Sequence, residues 1–315
     1  MNDLVDLRIE NATPHILRRP ILYVEPNTRM LQVATFLAMG PEIYVDGLWV
    51  IDDKVQRGKP IGRISSRRII SCILDCGYPD CMQKKASQMI DGLVMPLEMD
   101  SPLRKVLEVF KTTGFAFVPI IAKSDDVEEG CLRIAASLAI RDILPLIAKA
   151  DLRIPVKEFA SQLLCVSGKS SIRNTLDIML NKSIRNIGIS GEFPYGIDSL
   201  TKGGDEKGKE ANVCHIINDR KILEFLLSHN GREIVSRKGI ARLEDINIIE
   251  NLDTTYLTAV KFDTSVSRAA ELLMDVRNPF LIYESNQKES KQLYIITPWD
   301  IVMKLLTPHH VTGIT

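Results

Sequence analysis

One pair of residues near the C-terminus has the types and spacing to contact a polar ligand. Thr297 and Asp300 lie in "TPWD", between an apolar strand-like run and an amphipathic stretch. A carboxylate accepts hydrogen bonds from hydroxyl groups, and a hydroxyl beside a helix N-terminus favours a phosphate. The same two residues can equally be a helix cap and its first-turn acid. Pro298 fits either role, because a proline in the first helical turn loses no hydrogen bond.

The tripeptide "GKS" at 168–170 suggests a different chemistry, the phosphate loop of a nucleotide hydrolase. That loop needs a glycine five residues before the Gly-Lys pair, and Leu163 stands there instead. The sequence therefore favours a helix that is capped by Ser170 and carries an apolar stripe from 172 to 180.

Three cysteines lie close together, at Cys72, Cys76 and Cys81. Thiols at these gaps could hold a metal, form a disulfide or stay free. Because no fourth ligand or second cysteine pair lies nearby in the sequence, we predict no metal site and leave disulfide and free thiols open. The histidines stand in no pattern typical of a catalytic triad, so no catalytic residue is predicted.

The elements that must position Thr297 and Asp300 recur along the chain. In four places a short apolar run is followed by a hydroxyl residue and an amphipathic helix, then by further apolar runs and a second helix. The hydroxyl residues expected to cap the first helices are Thr28, Ser101, Ser170 and Thr264.

The second helix of each unit recurs at a regular spacing. Near the starts of these helices lie Arg68, Asp142, Lys221 and Asp300, which are separated by 74, 79 and 79 residues. A period this regular indicates an internal repeat. Each unit is predicted to be strand, helix, strand, strand, helix over roughly 60 residues. A unit of that size buries too little apolar surface to be stable alone, so we expect the units to pack in pairs.

The repeated unit resembles the cystathionine-β-synthase (CBS) domain, which occurs as tandem pairs. The resemblance rests on "GFAFVPII" with "LAIRDIL", on "SIRNIGIS" and on "YIITPWDIV". It implies an α/β (α+β) fold of four tandem β-α-β-β-α CBS repeats packed as two pseudo-twofold pairs, with adenosyl ligands in clefts between paired repeats. Four repeats in one chain are also similar to the gamma subunit of AMP-activated kinase. The repeats are predicted to span 12–77, 82–150, 152–231 and 240–308.

In the CBS family the last strand ends in Ser/Thr-x-x-Asp, whose acid binds ribose hydroxyls. Repeat four matches this motif in Thr297 and Asp300. Repeat two keeps Asp142 but has Ala139 in place of the hydroxyl, which would weaken the phosphate contact and leave ribose binding possible. The alternative for Asp142 is an ion pair or a helix cap.

Repeats one and three depart from the motif. Repeat one has Ser65 and Arg68, and repeat three has Asn218 and Lys221. A cation cannot accept hydrogen bonds from ribose hydroxyls. We therefore hypothesise that Arg68 and Lys221 point toward the phosphates of a nucleotide held by the partner repeat, with ordinary surface charge as the alternative.

The resemblance also implies residues that flank the strands and contact a nucleotide. Arg185 and Arg277 precede the second strand of repeats three and four, where they would approach phosphate. For the apolar residues near the base, a plain role in the core is the alternative. The residues that would line an adenine are Asp91, Met95, Phe115 and Ala116 in repeat two, and Asp253, Thr258 and Val276 in repeat four.

Composition narrows the classes of function. The 315 residues carry 40 basic and 40 acidic side chains, so the net charge gives no general reason to expect binding to nucleic acid or to a membrane. No stretch has the roughly 18 apolar residues of a spanning helix. The N-terminal stretch lacks the apolar centre of a signal peptide, so we expect a cytoplasmic protein.

The resemblance to CBS-domain proteins implies a regulatory protein that is not an enzyme. It would need no resident cofactor and would bind AMP, ADP, ATP or S-adenosylmethionine as a regulatory ligand, in a role such as energy sensing. It would signal to an unidentified protein target and form a homodimer through its CBS pairs. The alternative is a ligand-independent CBS scaffold for protein assembly, because three of the four family motifs are eroded.

Overall fold

The computed structural model describes residues 2–39, 47–52, 60–92, 94–122, 133–190, 213–236, 258–287 and 290–306. Asp253 and the charged insertion 201–210 lie outside these residues. The described chain forms four small sheets, each with helices packed against it. In every sheet the first strand runs parallel to the second, and the second runs antiparallel to the third. The predicted β-α-β-β-α order is confirmed in all four repeats, while their exact boundaries stay a prediction.

The strands and helices follow the apolar periodicity of the sequence. Repeat one contains strands Tyr23–Val24, Leu48–Ile51 and Pro60–Ile64 and helices Met30–Met39, Ser66–Cys76 and Tyr78–Gln83. Repeat two contains strands Leu97–Glu98, Phe117–Ala122 and Arg133–Ala139 and helices Leu103–Thr113 and Leu144–Lys149. Repeat three contains strands Cys165–Ser167, Asn186–Ser190 and Val213–Asn218 and helices Ile172–Asn181, Asp219–Leu227 and His229–Ser236. Repeat four contains strands Thr258–Ala259, Leu281–Gln287 and Ser290–Ile296 and helices Val266–Met274 and Pro298–Leu306.

Short elements connect the repeats. Helices Asn2–Val5 and Ile9–Ala12 and a 3₁₀ turn at Pro14–Arg18 precede repeat one, and a 3₁₀ turn at Val156–Glu158 precedes repeat three. The strand Ser161–Gln162, from the segment before repeat three, adds to the sheet of repeat four by pairing with Ser290–Ile296.

Two apolar cores pack the helices of non-consecutive repeats. The first core joins repeats one and three, with Ile69 and Ile73 beside Leu223 and Leu226. The second core joins repeats two and four, where residues of the helix Leu103–Thr113 pack beside residues of the helix Pro298–Leu306. Burial of apolar surface is the main stabilising contribution to such contacts. The helical faces of the two pairs therefore pack on each other within one chain.

Two smaller cores join the sheets of consecutive repeats. Trp49 of repeat one packs on Phe117 of repeat two, with ring centroids 4.9 Å apart. Ile216 of repeat three packs in the same cluster as Phe280 and Ile295 of repeat four. Repeats one and two therefore form one pair and repeats three and four the other, as predicted from the need of small units to share a core.

The first helices begin one residue later than predicted. Ser171, and not Ser170, caps Ile172–Asn181 by accepting the Asn174 N–H at 3.2 Å. Ser265, and not Thr264, caps Val266–Met274 in the same way.

The shift has a long-range cause. In three repeats the residue just before the first helix is held extended by an isolated β-bridge. The bridge joins it to a connecting segment, which either precedes the partner repeat or follows the same repeat. These bridges are Arg29 to Lys85, Pro102 to Arg8 and Ser265 to Pro155. The carbonyl groups of the predicted caps Thr28, Ser101 and Thr264 also accept backbone hydrogen bonds from those segments.

The predicted homodimer stays a prediction. The helices of each pair bury their apolar faces against the other pair of the same chain, so a second copy would have to use a different surface. No helix in the described ranges is both long enough and apolar enough to cross a membrane.

Candidate functional site

Asp300 is a buried acid in the first turn of the helix Pro298–Leu306, with 8% of its surface exposed. Its Oδ2 accepts hydrogen bonds from the backbone N–H of Thr297 at 2.9 Å and from Thr297 Oγ1 at 2.6 Å. Thr297 Oγ1 in turn accepts from the Asp300 N–H at 3.3 Å, which is the reciprocal arrangement of a capping box. The predicted pair is thus brought together, and its capping role is realised.

The second oxygen of Asp300 faces a different segment of the chain. Oδ1 accepts a 2.7 Å hydrogen bond from Ser161 Oγ and lies 3.5 Å from Nζ of Lys304. Ser161 belongs to the short strand that the segment before repeat three adds to this sheet. A ribose hydroxyl would approach the same oxygen that now accepts from Ser161.

Asp142 has an equivalent environment in repeat two, where it is 5% exposed. Its Oδ2 accepts from the Ala139 N–H at 2.7 Å and from Arg19 Nη2 at 2.6 Å. His15 Nε2 lies 3.2 Å from its Oδ1. The side chains of Arg19 and His15 are 43% and 45% exposed, so both can move aside at small cost compared with a buried pair.

The two acids have the same kind of hydrogen-bonding environment. Each carboxylate is oriented by the backbone N–H of the residue three positions earlier, and each meets side chains from the segment that precedes its pair of repeats. A fixed carboxylate with displaceable donors can exchange those donors for the hydroxyl groups of a ligand. Binding of a ribose at Asp142 or Asp300 stays a prediction.

Repeat one has no acid at this position but brings one in from the linker that follows it. Ser65 caps Ser66–Cys76 by accepting the Arg68 N–H at 3.3 Å. Ser65 Oγ also donates to Asp91 Oδ2 at 2.8 Å. The resemblance placed Asp91 near an adenine, and the structure places it beside the motif of repeat one.

The cations of repeat three are held by acids of their own repeat. Arg185 donates through Nε and Nη2 to both oxygens of Asp219, at 3.0 and 3.3 Å. Asn218 caps the helix by accepting the Lys221 N–H at 2.9 Å, and Lys221 Nζ lies 2.9 Å from Glu224. An approach of Arg185 or Lys221 to phosphate stays a prediction and would require these pairs to open.

The remaining positions of repeat four lie near the surface. Arg277 forms an exposed ion pair with Asp275 at 2.7 Å, and its hydrogen bonds lower the pKa of Asp275 to about 2. Thr258 Oγ1 donates to Asn278 Oδ1 at 2.7 Å, and Val276 is 39% exposed. Asp253, which the resemblance placed at this site, lies outside the described residues.

The apolar residues predicted to line an adenine in repeat two do not form one surface. Met95 is 41% exposed, whereas Ala116 packs against the core of repeats two and four. Phe115 is partly buried at the junction of the first two sheets. One face of its ring is covered by Arg63, whose Cζ lies 3.2 Å from the ring centroid.

Five residues of the site region were not predicted from the sequence. Three of them lie in segments that precede a pair of repeats and carry no motif, one lies in the last helix, and one lies in a strand. A basic residue inside the strand "PIGRI" was the one available signal. The five are His15, Arg19, Arg63, Ser161 and Lys304.

The three clustered cysteines form no disulfide with one another. Cys72, Cys76 and Cys81 are free thiols, and the Sγ atoms of Cys72 and Cys76 are 3.5 Å apart. Burial raises the pKa of Cys76 and Cys81, which keeps both thiols protonated at neutral pH. In the described part of the chain, no three His, Cys, Asp or Glu side chains are grouped to hold a metal ion.

No protein-family model and no curated protein matches the sequence. The fold, by contrast, matches solved structures. A Methanocaldococcus jannaschii protein proposed as an archaeal homologue of γ-AMPK is 15% identical and superposes with a TM-score of 0.68, covering 95% of this chain and all of its own.

Weaker likenesses accompany this match. An uncharacterised conserved protein of Pyrococcus horikoshii is 13% identical, with a TM-score of 0.48 over 91% of this chain and 96% of its own. A CBS domain pair solved with 5′-methylthioadenosine and S-adenosyl-L-methionine is 19% identical, with a TM-score of 0.35 over 44% of this chain and 98% of its own. The chain thus has the fold of CBS-domain proteins, with four repeats packed as two pairs.

Proposed function

We propose that this chain is a non-catalytic regulatory protein that binds an adenosyl ligand between paired repeats and signals to a partner protein. The observation that carries the proposal is the shared environment of Asp142 and Asp300. Both acids are almost completely buried, and both lie in the first turn of the last helical segment of a repeat. A buried carboxylate is expensive to keep unless it is fully hydrogen-bonded or serves a ligand.

Ribose hydroxyl groups fit this environment. The vicinal 2′ and 3′ hydroxyls would donate to the carboxylate in place of Arg19 and His15 at Asp142, or of Ser161 at Asp300. Because each new hydrogen bond replaces an existing one, the exchange itself contributes little free energy. The affinity would come from the base and from phosphate or other charged groups of the ligand.

The released side chains could contribute to that affinity. Arg19 and His15 are half exposed and lie beside Asp142, so they can turn toward a phosphate after leaving the carboxylate. AMP, ADP, ATP and S-adenosylmethionine all carry the required ribose. The likeness to a proposed archaeal homologue of γ-AMPK supports an adenine nucleotide as the first ligand to test.

Signalling would follow from the way the four repeats pack. Each pair meets through its sheets and each pair packs on the other through helices. A ligand that binds more tightly to one arrangement of a pair shifts the population toward it. The helical cores would pass that shift to the other pair and to a bound partner.

The experiment is isothermal titration of the full chain with AMP, ADP, ATP and S-adenosylmethionine, with GTP as a control for the base. We expect saturable binding of at least one adenosyl ligand. No binding of any of the four would contradict the proposal.

A second candidate is a ligand-independent scaffold. It is favoured by one observation: donors within the chain already engage both oxygens of Asp142 and of Asp300. A scaffold predicts that none of the four ligands changes the melting temperature, and that variants of these acids lose stability without any change in ligand response.

A further inference from the structure

Arg141 joins repeat two to the first helix of repeat four. It lies directly before Asp142 in the 3₁₀ turn Ile140–Ile143 and is 8% exposed. Its Nη1 donates to the carbonyl oxygen of Leu273 at 2.5 Å, and its Nη2 donates to that of Asn278 at 2.9 Å. These acceptors lie 132 and 137 positions later in the chain, in the other pair of repeats. A side chain of repeat two thus binds the backbone of repeat four.

The C-terminus of the helix Val266–Met274 offers acceptors for such a donor. The last carbonyl groups of a helix have no partner within it, and a left-handed residue commonly brings backbone N–H groups back to them. Asp275, which follows this helix, is extended instead, with φ −68° and ψ 121°. The guanidinium of Arg141 suits this helix end, because it donates hydrogen bonds and its positive charge is favourable near a helix C-terminus.

The segment that Arg141 binds contains residues of the candidate site in repeat four. Val276 and Arg277 lie between the two residues whose carbonyl groups accept from Arg141. Asn278 also accepts a 2.7 Å hydrogen bond from Thr258, on the first strand of that repeat. One side chain therefore connects the turn that carries the acid of repeat two to three positions that the resemblance assigns to a ligand of the other pair.

The same position makes an equivalent contact in other repeats. Arg67 occupies in repeat one the position that Arg141 occupies in repeat two. Its Nη2 donates at 2.5 Å to the carbonyl oxygen of Leu180, in the last turn of the first helix of repeat three. In repeat four the position is Trp299, whose ring centroid lies 6.4 Å from that of Phe110, in the last turn of the first helix of repeat two. In these three repeats the ligand motif thus contacts a first helix of the other pair.

We infer that Arg141 couples the two pairs of repeats: a ligand at Asp142 stabilises the loop 275–278 of repeat four through the hydrogen bonds of Arg141. This inference rests on the proposed function, because it requires a ligand at Asp142. Such a ligand restrains the turn that carries Arg141, and less conformational freedom is then lost when the loop is ordered. Coupling between two sites is reciprocal, so a ligand in repeat four tightens binding at Asp142 by the same factor.

The first test is hydrogen exchange of the backbone amides of 272–278 in the full chain without ligand. Arg141→Met keeps an unbranched side chain but removes the donors. Arg268→Met is the matched control, because Arg268 is an exposed arginine of the helix Val266–Met274 and pairs with Glu271. Arg141→Met should exchange these amides about tenfold faster than the wild type, as expected for the loss of charged hydrogen bonds, whereas Arg268→Met should exchange them at the wild-type rate.

The second test confines the ligand to repeat two by an Asp300→Asn change. AMP, ADP, ATP and S-adenosylmethionine are titrated into this variant, and the tightest binder is used at saturation. It should slow the exchange of 272–278 about fivefold, a typical coupling between two sites, and leave it unchanged when Arg141→Met is added. A merely structural role of Arg141 would not transmit binding in one pair to amides of the other. Arg141→Lys keeps the charge without the fork and should transmit part of the effect.

Two results would overturn the inference. One is an unliganded Arg141→Met variant that exchanges these amides as the wild type does. The other is a ligand that binds the Asp300→Asn variant and leaves exchange in repeat four unchanged. Melting temperatures verify folding, and Arg141→Lys serves both comparisons if Arg141→Met does not fold. If none of the four ligands binds any of the proteins, the proposed function fails and the coupling with it, and faster exchange in unliganded Arg141→Met then assigns a structural role alone to Arg141.

Discussion

Arg19 Nη2 donates a 2.6 Å hydrogen bond to Oδ2 of Asp142, which lies 123 residues later in the chain. Ser161 Oγ makes the corresponding contact to Asp300 at 2.7 Å across 139 residues. In both cases the donor belongs to the segment before a pair, and the acid belongs to the second repeat of that pair. A ligand that bound both acids would therefore displace the cation of Arg19 at Asp142 and the hydroxyl group of Ser161, beside Lys304, at Asp300.

Removing the guanidinium of Arg19 should reveal how much the displacement of this cation from Asp142 costs a ligand. Arg19→Ala should lower the free energy of unfolding by about 1 kcal/mol, because a half-exposed charged hydrogen bond to a buried acid is lost. The same change should tighten adenosine binding at Asp142 about threefold to tenfold, since the ribose no longer competes with an arginine. Urea denaturation and titration calorimetry measure the two effects.

Arg18→Ala is the matched control, because Arg18 is the exposed neighbour of Arg19 in the same turn. It should change neither quantity. Weaker adenosine binding in Arg19→Ala than in the wild type would mean that Arg19 holds the ligand directly instead of competing with it.

The position of the helix cap in repeat three can be tested by two neighbouring serines. Ser171→Ala should lower the free energy of unfolding by about 1 kcal/mol, because Ser171 Oγ accepts the Asn174 N–H. Ser170→Ala should cost less than about 0.5 kcal/mol, as expected for a residue outside the cap. Urea denaturation of both variants is the measurement, and the reverse order of effects would return the cap to Ser170.

The caps show what local sequence can and cannot predict. Hydroxyl residues near helix starts were found, and the helices themselves follow from apolar periodicity. The caps were predicted one residue too early, because bridges such as Ser265 to Pro155 hold the residue after the predicted cap in an extended conformation. Such a bridge joins residues from 56 to 110 positions apart in the chain, and no local pattern reports it.

The residues of the candidate site were likewise predictable only in part. The acids Asp142 and Asp300 were found because each stands at a fixed place in a repeated unit. Their donors Arg19 and Ser161 were missed because they come from connecting segments that carry no repeat. Arg63 was missed for another reason: a charged residue in a short strand ordinarily faces solvent, and its burial depends on how two sheets meet.

The ion pair of Asp275 and Arg277 predicts a specific titration. The carboxyl should titrate with a midpoint of about 2, below its ordinary value of 3.8, because Arg277 donates hydrogen bonds to the ionised form. A depressed folded-state pKa means that the pair stabilises the fold above about pH 4 and loses that contribution as the pH falls toward 2. Carbon-detected NMR of the Asp275 carboxyl gives the midpoint.

Arg277→Ala should return that midpoint toward 3.8, whereas Arg268→Ala, which removes the partner of Glu271, should leave it unchanged. A wild-type midpoint near 3.8 would show that Arg277 is free of Asp275 in solution. Arg277 would then be available to a phosphate without breaking a pair.

We propose that Asp142 and Asp300 bind the ribose of an adenosyl ligand. The most direct measurement is titration calorimetry of the best-binding adenosyl ligand against the wild type, Asp142→Asn, Asp300→Asn and the double variant. Asparagine keeps an oxygen that can accept the capping N–H, so the helix starts should survive, and melting temperatures verify this. We predict that each single variant loses one class of site and that the folded double variant binds no adenosyl ligand. Wild-type affinity and stoichiometry in the folded double variant would contradict the account.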